Sequence, residues 1–360
     1  MYPEIDTPAL VIDLDVVRTN VTEMAKVAAR NGVRLRPHIK THKMPELARM
    51  QLEAGASGIT CAKLGEAEIM ADAGIDDILL AFPLWGEPKL RRLAALRERA
   101  RVRVSLDSPD VAAALGRLGG PPVEVLVEVD TGQHRLGRPP GRPTADLVAE
   151  IAAIPGIEVV GLLTLAGHAY HSRTPGELAA TARREGTDLV STAEMCARDG
   201  IELREISVGS TPTARHVAGV AGVTEIRPGT YIFNDASMMR LGVATEATTA
   251  ARVLATVIAR PTPERVVFDA GTKCLTSDGS GSPDWIRVAG VPYAHMEFLN
   301  EEHAVAQLEP GHHGELPVGT RAMLIPSHAC SVVNLFDIAH CVEDGQVITE
   351  LRVAARGAVR

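Results

Sequence analysis

The chain has 360 residues, 46% of them hydrophobic and 23% charged, with a formal charge of −8 in which both signs are interspersed. This is globular composition, enough for a barrel of roughly 250 residues plus an addition, and with no basic block it argues against nucleic acid or an anionic membrane as partner. Five scattered cysteines (Cys61, Cys196, Cys274, Cys330, Cys341) do not form a disulfide framework, the start MYPEIDTPALVIDLD lacks a signal-peptide pattern, and no apolar run nears the ~20 residues that span a bilayer, so a cytoplasmic protein is expected.

Residues 7–13, TPALVID, read as a strand. Asp15 suits an N-cap, and Val17, Val21, Met24, Ala25 and Ala28 then recur at helical spacing until Gly32 stops the run. Strand-like stretches follow at 33–38, 57–61, 77–82, 102–106, 123–129, 158–165, 204–208 and 223–227. Amphipathic stretches lie between them at 44–54, 63–73, 87–99, 108–118, 142–154 and 174–199. About eight β/α units before residue 240 predict a (β/α)8 TIM barrel. A doubly wound sheet is the alternative and would usually need fewer strands. Beyond about residue 245, β-branched runs (VLATVIARP, RVVFDAG, RAMLIPS, QVITELRVAA) separated by Gly, Pro and charged turns predict a mostly β second domain. The expected division is a barrel over 14–245 and a β domain over 246–360 that strand 1–13 joins.

The stretch VRLRPHIKTHK, residues 33–43, holds the first candidate for chemistry. Pro37 cannot donate to a ladder, so it marks the end of a strand and places Lys40 where that strand opens onto a loop. His38, His42 and Lys43 flank it, and crowded cations free a lysine amine to form a Schiff base. A plain basic loop is the alternative. In a barrel, phosphate commonly binds after strands 7 and 8. There the chain offers Gly209-Ser210-Thr211-Pro212-Thr213 and Arg227-Pro228-Gly229-Thr230-Tyr231. Amides and hydroxyls of these loops suit an anion, though GSTPT is also an ordinary capping turn. A lysine at the first strand end and a phosphate cradle at the last two form the layout a pyridoxal phosphate barrel needs.

Two further loops point to the same mouth. In Asp130–Gly137, Arg135 could meet a phenolic oxygen of the cofactor or form a loop salt bridge. In Ala166–Tyr170, Tyr170 could pack beside the ring, and His168 could act as a proton-transfer base or be structural. In the second domain His328 and Cys330, two apart on a segment read as extended, would share a face. They could bind a metal such as zinc with positions left open, or be a buried structural pair. Ser277 to Pro283 reads as a mobile loop near that face.

Taken together, TPALVID, RPHIKTHK, GASGITCAKLGEAE, DTGQHRLG, GHAY, SVGSTPT, RPGTYIF and PSHAC resemble the fold-type III pyridoxal phosphate enzymes of the D-threonine aldolase and D-serine dehydratase group, from residue 7 to about 337. The resemblance implies an alanine-racemase-like barrel followed by a β domain, with Lys40 bonded to the cofactor. It implies cofactor contacts from Arg135, Tyr170, Ser210, Thr211, Gly229, Thr230 and Tyr231. It further implies a divalent metal (Zn, Mn, Mg or Co) at His328 and Cys330 beside the substrate's β-hydroxyl, and a homodimer. The chemistry implied is lysis of a β-hydroxy-D-amino acid. D-threonine aldolase is favoured by SVGSTPT and the GHAY loop, and dehydration to a 2-oxo acid and ammonia stays open. A non-catalytic cofactor-binding protein is disfavoured by the long second domain. A racemase would need a catalytic tyrosine that GVPYAHM, around Tyr293, does not resemble.

Overall fold

The computed structural model describes residues 1–282 and 284–360. The chain forms two compact units: Met1–Val21, Thr41–Met44 and Thr230–Arg356 make the first, and Thr22–Lys40, Pro45–Gly229 and Gly357–Arg360 make the second. Strand β1 (Ala9–Asp13) runs directly into helix α1 (Leu14–Asn31). From β2 (Arg34–Leu35) the chain alternates strictly through α2 (Pro45–Glu53), β3 (Ile59–Cys61), α3 (Leu64–Asp72), β4 (Asp77–Leu80), α4 (Glu87–Arg97), β5 (Arg101–Leu106) and α5 (Pro109–Gly116). It continues through β6 (Val123–Glu128), α6 (Arg142–Ala152), β7 (Ile157–Leu163), α7 (Pro175–Arg198), β8 (Glu205–Val208), α8 (Thr211–Val217) and β9 (Glu225–Ile226).

The parallel sheet among the described residues runs β2-β9-β8-β7-β6-β5-β4-β3, and a parallel bridge between His38 and Thr60 joins its two ends into a (β/α)8 barrel. At that seam the Ser57 and Thr60 amides donate to the Leu35 and Pro37 carbonyls at 2.8 Å. The strand expected over 33–38 is therefore only two residues long by regular pairing. Pro37 has no N–H to continue the ladder, and residues 39–41 turn into a 3₁₀ helix. Elsewhere the strands and long helices fall within a few residues of their expected positions. Their starts follow local chemistry: Ser108 and Thr174 cap α5 and α7 with their side chains, each with Pro at the first helical turn.

The barrel floor is ionic. Arg36 and Arg103, each 1% exposed, meet Glu225, Glu205 and Asp77. Arg36 Nε lies 2.9 Å from Glu225 and its Nη1 2.6 Å from Asp77, while Arg103 Nη1 lies 2.7 Å from Glu205. The chain of contacts climbs through the Ser207 hydroxyl, which donates to Glu225 at 2.7 Å and accepts from Arg227 Nε at 2.8 Å. Arg227 thus stands on a continuous buried hydrogen-bond ladder, which fixes its orientation.

The first unit is built on an antiparallel-rich sheet. Helix α9 (Ala236–Arg240) precedes β10 (Ala251–Ala259) and β11 (Arg265–Phe268). Helix α10 (Thr272–Leu275) precedes β12 (Arg287–Val288), β13 (Ala294–Leu299), β14 (Ala304–Leu308) and β15 (Arg321–Ile325), and α11 (Ala329–Val333) precedes β16 (Ile338–Glu343) and β17 (Gln346–Arg352). The order is β11-β14-β13-β12-β15-β10-β1-β16-β17. Strand β1 lies antiparallel to β10 and parallel to β16. Val253, Val257, Val266, Phe268, Leu324 and Trp285 pack the core beneath this sheet. Of the loop expected at Ser277 to Pro283, Pro283 lies outside the described residues. Its earlier part is anchored, with Ser331 donating its hydroxyl to Asp278.

Candidate active site

Lys40 lines a cavity of about 290 Å³ at the strand ends of the barrel, together with His38, Phe82, Glu128, Arg135 and Arg227. Leu136, Leu163 and Leu165 supply apolar wall. The 3₁₀ turn after Pro37 brings Lys40 here, and its amide faces His38 Nδ1 at 3.5 Å. Burial, reinforced by the charges of Lys40, Arg227 and Arg135, holds His38 well below the usual imidazole range, so it is neutral at physiological pH. Two of the cations expected to crowd Lys40 have hydrogen bonds of their own. His42 accepts from the Met44 amide at 3.1 Å, and Lys43, at φ +58°, donates to Asn334 at 2.8 Å. Within this cavity Arg135 and Arg227 give Lys40 cationic company.

Glu128, at the end of β6, joins the two arginines. It is 5% exposed, lies 3.5 Å from Arg135 Nη2, and burial pushes its carboxyl up against the opposing pull of Arg135 and Arg227. Arg135 therefore lines the cavity and makes an ion pair at once. Asp130 folds the loop that presents it by accepting the Gly132 and His134 amides at 2.9 Å each. Burial opposes its charge, but those amides and the His134 ring win and keep the Asp130 carboxyl low. Gly137 closes the loop at φ +91°, where a Cβ would lie 2.6 Å from the Glu128 carbonyl oxygen and 2.8 Å from the Asp130 nitrogen. No other residue fits there.

His168, Tyr170, Ser210 and Thr211 do not line the Lys40 cavity. His168 and Tyr170 lie on the 3₁₀ turn Gly167–His171. The His168 ring packs over Gly132, its Nδ1 is buried with no hydrogen-bond partner among the described residues, and burial together with Arg184 lowers its basicity. Ser210 and Thr211, 4% and 5% exposed, open α8. The amides there differ from expectation: Gly209 N–H donates to Glu185 at 2.9 Å and Ser210 N–H to Thr213 Oγ1 at 3.0 Å. A phosphate at this loop would thus meet hydroxyls ahead of those two amides. Gly229 ends the longest stretch of the second unit, while Thr230 and Tyr231, buried on the 3₁₀ turn Thr230–Ile232, begin a stretch of the first.

His328 and Cys330 belong to the first unit. The segment is extended only as far as His328 (φ −140°, ψ 106°), which precedes α11, and Cys330 is the second residue of that helix. The strand-like alternation expected for the pair is therefore incorrect. A helix start brings the side chains together instead, and they share a hydrogen bond. Asp235, fully buried, accepts from Ala329 N–H at 3.1 Å and lies 3.2 Å from His328 Nδ1, while its other oxygen caps α9 by accepting from Met238 N–H at 2.9 Å. Burial opposes a charge on His328, but the Cys330 sulfur and Asp235 outweigh it and raise the imidazole well above its usual range. The hydroxyls of Thr41 and Thr230 lie 3.1 and 3.6 Å from the Cys330 sulfur. No group of three or more His, Cys, Asp or Glu suited to a metal occurs among the described residues. An imidazole backed by a buried carboxylate, paired with a thiol, is nonetheless a donor set that suits a borderline cation.

Sequence reading placed His38 beside Lys40 and Arg227 in a loop of the barrel mouth without giving either a role of its own, and it passed over Glu128 and over Asp235 as the partner of His328. Among the described residues, no helix is long and apolar enough to cross a membrane.

The profile of the alanine racemase N-terminal domain matches residues 12–237, and that of a putative serine dehydratase domain matches residues 250–342. A D-threonine aldolase from Arthrobacter sp. is 36% identical over 99% of this chain and 94% of its own length. A D-threo-3-hydroxyaspartate dehydratase from Delftia sp. (strain HT23) is 35% identical over 96% of each. The crystal structure of D-threonine aldolase from Filomicrobium marinum superposes with a TM-score of 0.91 at 34% identity, covering 99% of this chain and 97% of that one. With its barrel, its strand-end lysine and these relatives, the chain belongs to the fold-type III pyridoxal phosphate family of D-threonine aldolases and D-serine dehydratases.

Proposed function

We propose that the chain is a pyridoxal phosphate- and metal-dependent lyase of β-hydroxy-D-amino acids, and that it cleaves D-threonine to glycine and acetaldehyde. The observation that carries this reading is the Lys40 cavity, where a primary amine, a neutral imidazole and two arginines converge on an apolar-walled space. This donor set suits an aromatic aldehyde bearing anionic oxygens. When bound, pyridoxal phosphate supplies an electron sink for the bond broken at Cα. Lys40 would hold it through its amine and Arg135 through its phenolic oxygen. Tyr170, Ser210, Thr211, Gly229, Thr230 and Tyr231 would hold its ring and phosphate. A divalent metal at His328 and Cys330 would supply a Lewis acid toward the β-oxygen.

The chain's own residues do the remaining work. Glu128 keeps Arg135 oriented, and the Glu225–Ser207 ladder does the same for Arg227. Asp235 engages His328 Nδ1 and so fixes the ring's orientation for a cation. His168, held uncharged by burial, is in the right state to take the proton from the β-hydroxyl. Lysis would then release the aldehyde, and return of a proton to Cα, balancing the one taken from the β-hydroxyl, would leave glycine. Dehydration is the second reading, supported by the 35% identity to the Delftia enzyme. We further propose a cytoplasmic homodimer, with a barrel domain over 14–245 and a β domain over 246–360 that strand 1–13 joins.

A product assay on D-threonine and D-serine, with and without a divalent metal, tests the proposal. Glycine and acetaldehyde from D-threonine are expected. Ammonia with 2-oxobutanoate or pyruvate would replace the aldolase by the dehydratase, and no product from either substrate would overturn both.

A further inference from the structure

Helix α7 carries a carboxyl group that the chemistry above does not use. Glu185 is 1% exposed on a helix whose other acidic residues face solvent or cap its ends. Its Oε1 accepts two backbone amides from two different strand-end loops. One is Ala166 N–H at 3.1 Å, at the start of the turn that carries His168 and Tyr170. The other is Gly209 N–H at 2.9 Å, immediately before Ser210 and Thr211. Gly209 adopts φ +95°, so its amide direction is set by a backbone conformation that an ordinary residue rarely takes. The second oxygen, Oε2, is buried with no hydrogen-bond partner among the described residues. The Thr213 side chain also acts on this carboxyl group as a hydrogen-bond partner, and it and the two amides oppose a burial that disfavours the charge. A helix needing only packing at this position would be better served by leucine. Within the same loop, Ser210 N–H and Oγ are both tied to Thr213 Oγ1, at 3.0 and 3.1 Å. The turn from 209 to 213 is therefore pinned at both ends, with Glu185 as the pin from outside.

We propose that Glu185 is a positioning residue for phosphate recognition, holding the Gly209–Thr211 turn and the Ala166–Tyr170 turn in one register so that the Ser210 and Thr211 hydroxyls face the cofactor's phosphate. This rests on the reading that residues 210 and 211 receive that phosphate. Glu185 does not touch the phosphate in this account. It acts through the amides it accepts, and the property it sets is the preference for a phosphorylated ligand over its dephosphorylated form.

That preference provides the test. Apoenzyme is titrated with pyridoxal 5′-phosphate and, separately, with pyridoxal, and the ratio of the two affinities isolates the phosphate's share of binding. Glu185→Gln keeps an oxygen that accepts both amides and should keep the wild-type ratio. Glu185→Leu removes the acceptor and should lower the ratio roughly tenfold or more, with pyridoxal affinity unchanged. Glu185→Asp withdraws the acceptor by one methylene and should lower the ratio likewise. The Asp and Gln comparison decides the matter should the Leu variant fail to fold, and thermal melting of each variant identifies that case. A purely structural role would weaken both ligands in equal proportion, and that result overturns the proposal, as does a wild-type ratio in Glu185→Asp. A wild-type enzyme with no preference for the phosphorylated ligand would instead refute the underlying phosphate assignment, and the positioning role with it.

Discussion

Replacing Arg36 by methionine should destabilise the barrel by about 3–5 kcal/mol, the usual result of removing one partner from a buried ion pair. Arg36 is 1% exposed, and its side chain reaches two carboxylates, Glu225 at 2.9 Å and Asp77 at 2.6 Å. Methionine fills the volume but leaves Glu225, itself fully buried, with the Ser207 hydroxyl at 2.7 Å and Arg34 at 3.7 Å as its remaining partners among the described residues. The pH dependence carries a sign that packing alone would not produce. In the wild type, burial raises the Glu225 carboxyl, but Arg36 and the Ser207 hydrogen bond outweigh it and hold it below its ordinary value. Its stabilising contribution is therefore present above the unfolded pKa of about 4.3 and is lost as pH falls through the folded value. Without Arg36, burial dominates and the folded pKa rises above the unfolded one. The variant's deficit is then full above the raised value and shrinks as pH falls toward the unfolded one. Urea titrations followed by circular dichroism at about pH 7.5 and about pH 5 should show the gap between wild type and Arg36→Met narrowing on acidification. A further Glu225→Met change should recover part of the loss. A deficit below about 1 kcal/mol, or one that does not narrow, would refute the reasoning.

Lys40→Ala should abolish the borohydride-reducible cofactor adduct and its visible absorbance, and a retained adduct would place the attachment on another lysine. Glu128→Gln should weaken cofactor affinity by about 1–2 kcal/mol by releasing Arg135, measured by titrating apoenzyme with pyridoxal 5′-phosphate. Cys330→Ala should lose zinc binding in equilibrium dialysis while keeping the cofactor. Asp235→Asn should weaken zinc binding about 10–100-fold through His328, and unchanged zinc affinity would remove Asp235 from that role.

The barrel was legible wherever a segment was long enough to show its period. VEVLVEV and the capped helix over 174–199 carry enough residues for alternation or a 3.6 repeat to emerge. Strands β2 and β9 have two paired residues each, and helices α8 to α11 have four to seven. Such pieces are shorter than one reliable cycle of either pattern, so they were read too long or missed. The strand-end rule located Lys40 and Arg135, which share a cavity. It named Arg227 only as the start of a phosphate loop and did not find Glu128, although a charged residue that ends a largely apolar strand is a detectable anomaly. Glu185 left no trace of its burial, because a glutamate on an amphipathic helix reads as a solvent-facing residue. For His328 and Cys330 the pairing was read from the wrong geometry, since a five-residue helix start gives no periodic signal.

The seam of the barrel is closed as much by a side chain as by backbone. Arg36 leaves the short strand β2, reaches Glu225 on one side and Asp77 on the other, and passes through space that a Cβ at Gly58 would occupy. Such a Cβ would also lie 2.6 Å from the Asp77 carbonyl oxygen. These four positions therefore make a single unit of inheritance. A side chain at 58 demands a shorter one at 36, and a shorter one at 36 removes from each acid one of its cationic partners, leaving Asp77 to Arg103 and Glu225 to Ser207 and Arg34. Among descendants of this barrel, glycine, arginine, aspartate and glutamate at these places should be kept together or exchanged together, and a lineage that has lost one should carry the compensating change at the others.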